Sequence, residues 1–330
     1  AVYLGGDFRR LVPPAGGATF VDALSGVAKR PFPDVRGTVF SAVEDGHGGW
    51  FLGGIFDSVQ GVPRANLAQI DESGLVTEWN PGANGEVRKL VRRGDVVYVG
   101  GYFLQLGGQD RRRLAAVAAV DGKLLAWNPR VTGDYVMDMI VKDTTLFVAG
   151  SFDQVGDSAR AGIAELGIAD GRATVWQTRI NKGGHIDAIQ RNANTLFVGG
   201  AFSVGEIFTV DYVSADVAAI DIERAYFKFF LPPFTGTVET LALRDSALYI
   251  GGLFSYIGVP NAGGVARNFL AACSATTGVI LSSWAPQPHF VVQHLAATSD
   301  RIYVGGRGGE LFTGLLNHTT VEALDPATGG

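Results

Sequence analysis

The feature that most restricts what this chain can fold into is a short pattern that returns seven times: apolar, aromatic, apolar, Gly, Gly, any residue, Phe. The copies carry the segments Tyr3–Phe8, Phe51–Phe56, Tyr98–Phe103, Phe147–Phe152, Phe197–Phe202, Tyr249–Phe254 and Tyr303–Gly306; the fourth has Ala149 for the first glycine and the seventh lacks the Phe. From one copy to the next the first glycine position advances by 48, 47, 49, 50, 52 and 54 residues. A unit of this length, repeated through the whole chain, means that one small supersecondary element is copied and stacked.

Each interval reads as four short strands, because apolar runs of four to six residues are separated by Gly, Asp, Asn or Pro. With the Gly-Gly strand labelled B, strand C is exemplified by Leu67–Asp71 and Val217–Asp221. Strand D ends on Trp79-Asn80-Pro81, Trp127-Asn128-Pro129 or Trp284-Ala285-Pro286, and strand A runs through Val87–Leu90 or Val238–Leu241. Turns such as Asp121-Gly122, Asp170-Gly171 and Arg93-Gly94-Asp95 are short enough for hairpins. No stretch carries a sustained 3.6-residue apolar period with caps, so no helix is predicted. Four-stranded antiparallel units cannot bury both faces alone, whereas seven packed face to face around an axis can. The expected fold is all-β, a seven-bladed β-propeller of four-stranded antiparallel blades, forming one domain over residues 1–330. In it the paired glycines allow close backbone approach and the strand D Trp fills the widening space between blades.

Composition narrows the function. Glycine holds 46 positions, about twice the usual share, while Gly and Pro together stay below the level of low-complexity chains. A net charge of -5, with Arg111-Arg112-Arg113 the one basic run, removes the electrostatic ground for nucleic-acid binding, and that triplet reads as a solvated loop. The single cysteine, Cys273, excludes an intrachain disulfide and a multi-cysteine zinc site. Stretches 247–266 and 269–299 lack charge but are interrupted by Gly, Pro and polar residues, so no membrane span is expected. The start on Ala1-Val2-Tyr3-Leu4 reads as a mature or trimmed end, and a signal peptide outside this chain is compatible with it.

The Gly-Gly motif followed by an Asp-bearing strand C and a Trp-bearing strand D resembles the kelch repeat. The Gly-Gly-x-Phe, Arg-x-x-Leu-Ala and Trp-Asn-Pro variant is similar to the delta-60 type repeats of bacterial surface and secreted proteins. The resemblance covers the whole chain and implies a propeller at the cell surface or outside the cell; it does not name a ligand. This chain departs from it at Lys29-Arg30-Pro31, where the first Trp-Asn-Pro is expected, and at Ala118 and Gly167, which replace the strand C Asp. Seven B and C strands but six A and D strands are counted, so the last blade is incomplete: either the seventh blade is short or, the favoured expectation, the chain is a segment of a longer polypeptide whose flanking parts complete the ring.

Alternating strand direction sends the B–C and D–A connections to one face, the expected working face. Its candidate ligand residues are Phe208 and Tyr212 in loop 203–215, Tyr256 in loop 255–268 and Phe312 in loop 307–319, aromatics suited to a protein or glycan. Arg88, Asp187 and Glu239 stand at matching strand A positions, one residue after the apolar anchor, where they line the axis as a ligand site or a paired polar plug. Arg64, Arg111, Arg160 and Arg267 occupy one equivalent site in four repeats, which points to a structural role. No catalytic motif, cofactor site or metal site is recognised; Cys273 falls in a C strand, where a small hydrophobe is expected. The expected function is non-enzymatic recognition or scaffolding of a protein or glycan. The alternative is a polysaccharide hydrolase or lyase using carboxylates such as Asp134, Asp211 and Asp216.

Overall fold

The computed structural model describes residues 2–5, 18–21, 28–29, 33–207, 210–258, 264–308 and 318–330. All regular structure there is β, and no helix occurs among the described residues. Two compact units divide the chain: Ala1–Val148 with Phe152–Arg160 and Glu165–Thr174, and Ala149–Ser151 with Ala161–Ala164 and Val175–Gly330.

From the second repeat onward strand B is the middle of an antiparallel sheet, with its own A strand on one side and C on the other, while Val2–Gly5 of the first repeat is an edge strand paired with Ala18–Val21 among the described residues. Thus Val96–Gly101 pairs with Val87–Arg93 and Leu114–Ala118, and Ala247–Leu253 pairs with Thr237–Arg244 and Leu270–Ser274. The aromatic of the motif and its closing Phe turn into the packed interior, so Phe51, Tyr98, Phe147, Phe197 and Tyr249 are buried together with Phe56, Phe103, Phe152, Phe202 and Phe254. Period-two geometry sends both toward packed neighbours, and burying each large ring stabilises by about 1.5–3 kcal/mol.

The two glycines serve different neighbours. A Cβ on Gly53 would lie 2.6 Å from Val87 of the next A strand; on Gly100, 2.9 Å from Val136; on Gly199, 2.8 Å from Val238; and on Gly251, 2.5 Å from Val292. The first glycine therefore sets how closely the next sheet packs. A Cβ on the second glycine would strike a carbonyl of the sheet's own A strand: Thr38 for Gly54, Glu86 for Gly101, His185 for Gly200, Thr237 for Gly252 and Val291 for Gly306. That carbonyl is pushed inward because each of these A strands bulges there, between Val39 and Ser41, Val87 and Lys89, Ile186 and Ala188, Val238 and Thr240, and Val292 and His294.

The strand D tryptophans join successive sheets as expected. Trp79 Nε1 donates to Ala118 O (3.0 Å), Trp127 to Gly167 O (3.2 Å) and Trp284 to Asp325 O (3.2 Å). Each acceptor carbonyl also takes the turn N–H of Gly122, Gly171 or Gly329, three glycines held at φ +73°, +72° and +78°. A Cβ on those glycines would lie 3.2 Å from Pro81, 3.2 Å from Trp127 Nε1 and 3.0 Å from Pro286, so the Trp-x-Pro unit seats the next C–D turn.

Two expectations are corrected. Strand D is mostly a bridge rather than a strand: Ile70–Val76, Val117–Leu124, Leu166–Ala173 and Cys273–Ile280 are isolated pairs, and Phe227–Phe230 is the longer exception in the second unit. The expected loop 203–215 is instead the end of a long hairpin, in which Thr195–Ile207 pairs with Val210–Asp221. Val204, Ile207, Val210 and Val213 are β-branched and carry the pairing outward past the second glycine.

Candidate functional site

The bulges decide what strand A presents. Phe40, Arg88, Asp187, Glu239 and Gln293 are the extra residues of five equivalent bulges, so these side chains are displaced from the ladder while the flanking apolar residues stay buried.

In the first unit Arg88 builds a continuous cluster. Its guanidinium lies 4.1 Å from the Phe40 ring centroid and 5.3 Å from that of Tyr102, and Nη2 meets Glu86 Oε2 at 2.5 Å. Tyr102 in turn stacks on Tyr135, with centroids 4.7 Å apart and planes at 29°. Phe40, Arg88 and Tyr135 are half-buried and Tyr102 is exposed. Three successive A strands and one B strand thus contribute to one aromatic and guanidinium surface, at the sheet ends where the B–C and D–A connections leave. Cation–π contact with partly desolvated rings is worth about 1 kcal/mol or more per pair and holds Arg88 in place. One residue further on, Lys89 Nζ meets the buried Asp138 at 2.7 Å, and Ser41 Oγ accepts Leu90 N–H at 2.9 Å.

The second unit carries the other two polar strand A candidates. His185 Nε2 lies 3.4 Å from Asp187 Oδ2, and Gln293 Nε2 donates to Glu239 Oε2 at 3.3 Å. Arg88, Asp187 and Glu239 are therefore each engaged by a neighbour of their own unit. Tyr256 is half-buried in a two-stranded ribbon with Ala266, and its carbonyl accepts Thr235 N–H at 3.0 Å. Tyr212 pairs with Gly205 along the long hairpin; Phe208 and Phe312 lie outside the described residues.

The acids named for hydrolysis have distinct settings. Asp134 is exposed beside Tyr135. Asp211 and Asp216 stand in the paired strand Val210–Asp221, not in a loop. Asp216 is buried, accepts Phe234 N–H at 2.7 Å, and burial pushes its carboxyl above the ordinary range. Asn66 holds the equivalent place in the second repeat, accepting Phe56 N–H at 3.0 Å and donating to Ala83 O at 2.9 Å.

The repeated arginines form one staple four times over. Nη1 caps the preceding carbonyl, of Pro63, Asp110, Ala159 or Ala266, and Nη2 reaches the D segment at Thr77, Leu125, Thr174 or Ser282. Cys273 is buried, with its thiol pushed up to about 12 by desolvation, which suits a small core hydrophobe.

A groove of about 810 Å³ opens in the first unit between the B–C and D–A connections of one sheet, lined by Arg36, Ile55, Asp57, Arg64, Asn80 and Pro81 among others. Ile55 is exposed and is the register partner of Thr38, two residues before Phe40, so the groove shares a sheet with the Phe40 end of the cluster. Sequence reasoning passed over Phe40, Glu86, Tyr102 and Tyr135. The available signal was the free position of Gly-Gly-x-Phe, filled by Ile55, Tyr102 and Leu253, all exposed.

No protein-family model and no curated protein matches this chain. Among solved structures it is similar to BamB from Moraxella catarrhalis, with a TM-score of 0.53 at 12% identity over 96% of this chain and 82% of that one. It is also similar to the WD40 β-propeller domain of Doa1, with a TM-score of 0.54 at 11% identity over 82% of this chain and 76% of that one. At such identities the likeness reports the fold alone: the chain folds as a β-propeller repeat protein.

Proposed function

We propose that this chain is a non-enzymatic recognition module: one kelch-like, seven-bladed propeller that holds a protein partner against the ends of its sheets from which the B–C and D–A connections leave. Seven Gly-Gly copies support the blade count, and the delta-60-like form of the repeat supports a place at the cell surface or outside the cell. The observation that carries the functional reading is the Phe40–Arg88–Tyr102–Tyr135 cluster. Tyr and Arg are the residue types that dominate binding energy at protein interfaces, and pre-packing leaves little side-chain entropy to lose on association. A protein is favoured over a glycan because Tyr102 and Tyr135 already spend a ring face on each other, whereas sugar stacking uses open faces.

A peptide-display selection against the whole chain, scored in parallel against Tyr102→Ala, tests this. Selected peptides are expected to lose about tenfold or more in affinity on the variant. Peptides indifferent to the variant, or thermal stabilisation by glycans with no peptide binder, would contradict the reading.

A further inference from the structure

The basic run Arg111-Arg112-Arg113 is built into the same surface. Arg113 N–H donates to Phe103 O and Arg113 O accepts Gly101 N–H, both at 2.9 Å, so its backbone brackets Tyr102. Its Nε donates to Gly133 O at 3.1 Å, two residues before Tyr135. One residue thereby ties the triplet to both rings of the stacked pair. Arg113 does this at φ +65°, a left-handed conformation shared by Asn66 (φ +65°), Gly162 (φ +68°) and Phe269 (φ +62°) at the equivalent positions, so the backbone of the repeat fixes where this arginine leaves the sheet.

The loop's charge runs against that of the whole chain. The chain carries -5 overall, yet loop 110–113 sets three guanidinium groups against Asp110, with Arg112 the one turned fully outward and Glu86 and Asp134 the acids near the rings. Asp110 is engaged at 3.3 Å with Arg112, and both side chains are largely exposed. Arg111 is held by carbonyls of Asp110 and Leu125, which fixes its position and leaves its charge uncompensated.

Resting on the recognition reading above, we infer that the partner segment is an acidic peptide: its Asp or Glu carboxylates meet loop 110–113 while an apolar or aromatic residue packs against Tyr102 and Tyr135. Guanidinium forks match carboxylates and steer them over the long range, and stacked tyrosines supply the anchor. A polyphosphate is disfavoured, since the cations are confined to one loop of an acidic chain and form no stripe of nucleic-acid length.

Fluorescence anisotropy with the whole chain distinguishes the cases, using a glutamate–tyrosine copolymer, a lysine–tyrosine copolymer and oligothymidine as probes. The acidic copolymer should bind, weaken about tenfold with Arg112→Glu and with Tyr102→Ala, and weaken further as salt rises past about 0.15 M. Arg112 is exposed and keeps few contacts, and a thermal melt checks that both variants fold. Equal binding of the lysine copolymer, preference for oligothymidine, or indifference to Arg112→Glu overturns the inference. If display-selected peptides depend on Tyr102 but not on Arg112, recognition stands and the acidic class falls; if nothing depends on Tyr102, both fall.

Discussion

At the scale of single residues, Asp216 occupies a position that varies between repeats, being Asn66, Arg113, Gly162 or Phe269 elsewhere. A carboxylate sits buried where the second repeat has Asn66, whose amide both accepts and donates. Burial raises the folded-state pKa of Asp216, so between the unfolded and folded values the native state holds more proton than the unfolded chain. Its favourable contribution is complete below the unfolded pKa and disappears as pH rises through the folded one. Asp216→Asn should therefore stabilise at neutral pH by about 1 kcal/mol, and the gain should shrink toward zero below about pH 4. Denaturant melts at several pH values check it; a gain that grows on acidification would be the wrong sign. The arginine staples make a second prediction at this scale. Arg160→Ala leaves Ala159 O and Thr174 O without their guanidinium donor and should cost about 1.5–3 kcal/mol without touching Tyr102-dependent binding.

At the scale of elements, the paired glycines were legible because a repeat exposes what each copy must keep. Gly101 abuts Glu86 O of its own A strand, so Gly101→Ala should cost about 3 kcal/mol or more, as overpacking against backbone cannot relax. Gly94, at φ +56° with open space beside it, should cost about 1 kcal/mol as Gly94→Ala, through strain alone. Chemical denaturation of the two variants gives the comparison, and equal losses would refute the contact argument. The Trp79, Trp127 and Trp284 joints were legible for the same reason as the glycines. What the sequence did not yield were departures from period two. The A-strand bulge is one added residue among apolar and polar neighbours, and nothing in Val87-Arg88-Lys89 announces it, yet it is what turns Arg88 toward Phe40 and Tyr102. The outward hairpin through Val204 and Val213 was hidden by a glycine and several polar residues that read as a loop.

At the scale of the whole molecule, the regular part of each repeat builds the propeller fold, and the proposed recognition role rests on the irregular part. Fixed positions bury rings, seat turns and set sheet spacing; the free position of Gly-Gly-x-Phe is exposed at Ile55, Tyr102 and Leu253 and the bulge residues are half-buried, so both can vary while the packing is kept. That division puts the functional claim in one place, residues 98–113 and 131–136 with Phe40 and Arg88. Hydrogen–deuterium exchange of the whole chain, with and without a display-selected peptide, tests it most directly. The account predicts slowed exchange confined to those segments and to the strands Val35–Glu44 and Val87–Arg93 around Phe40 and Arg88. Protection concentrated instead on the A–B or C–D hairpins, with those segments unchanged, would contradict it.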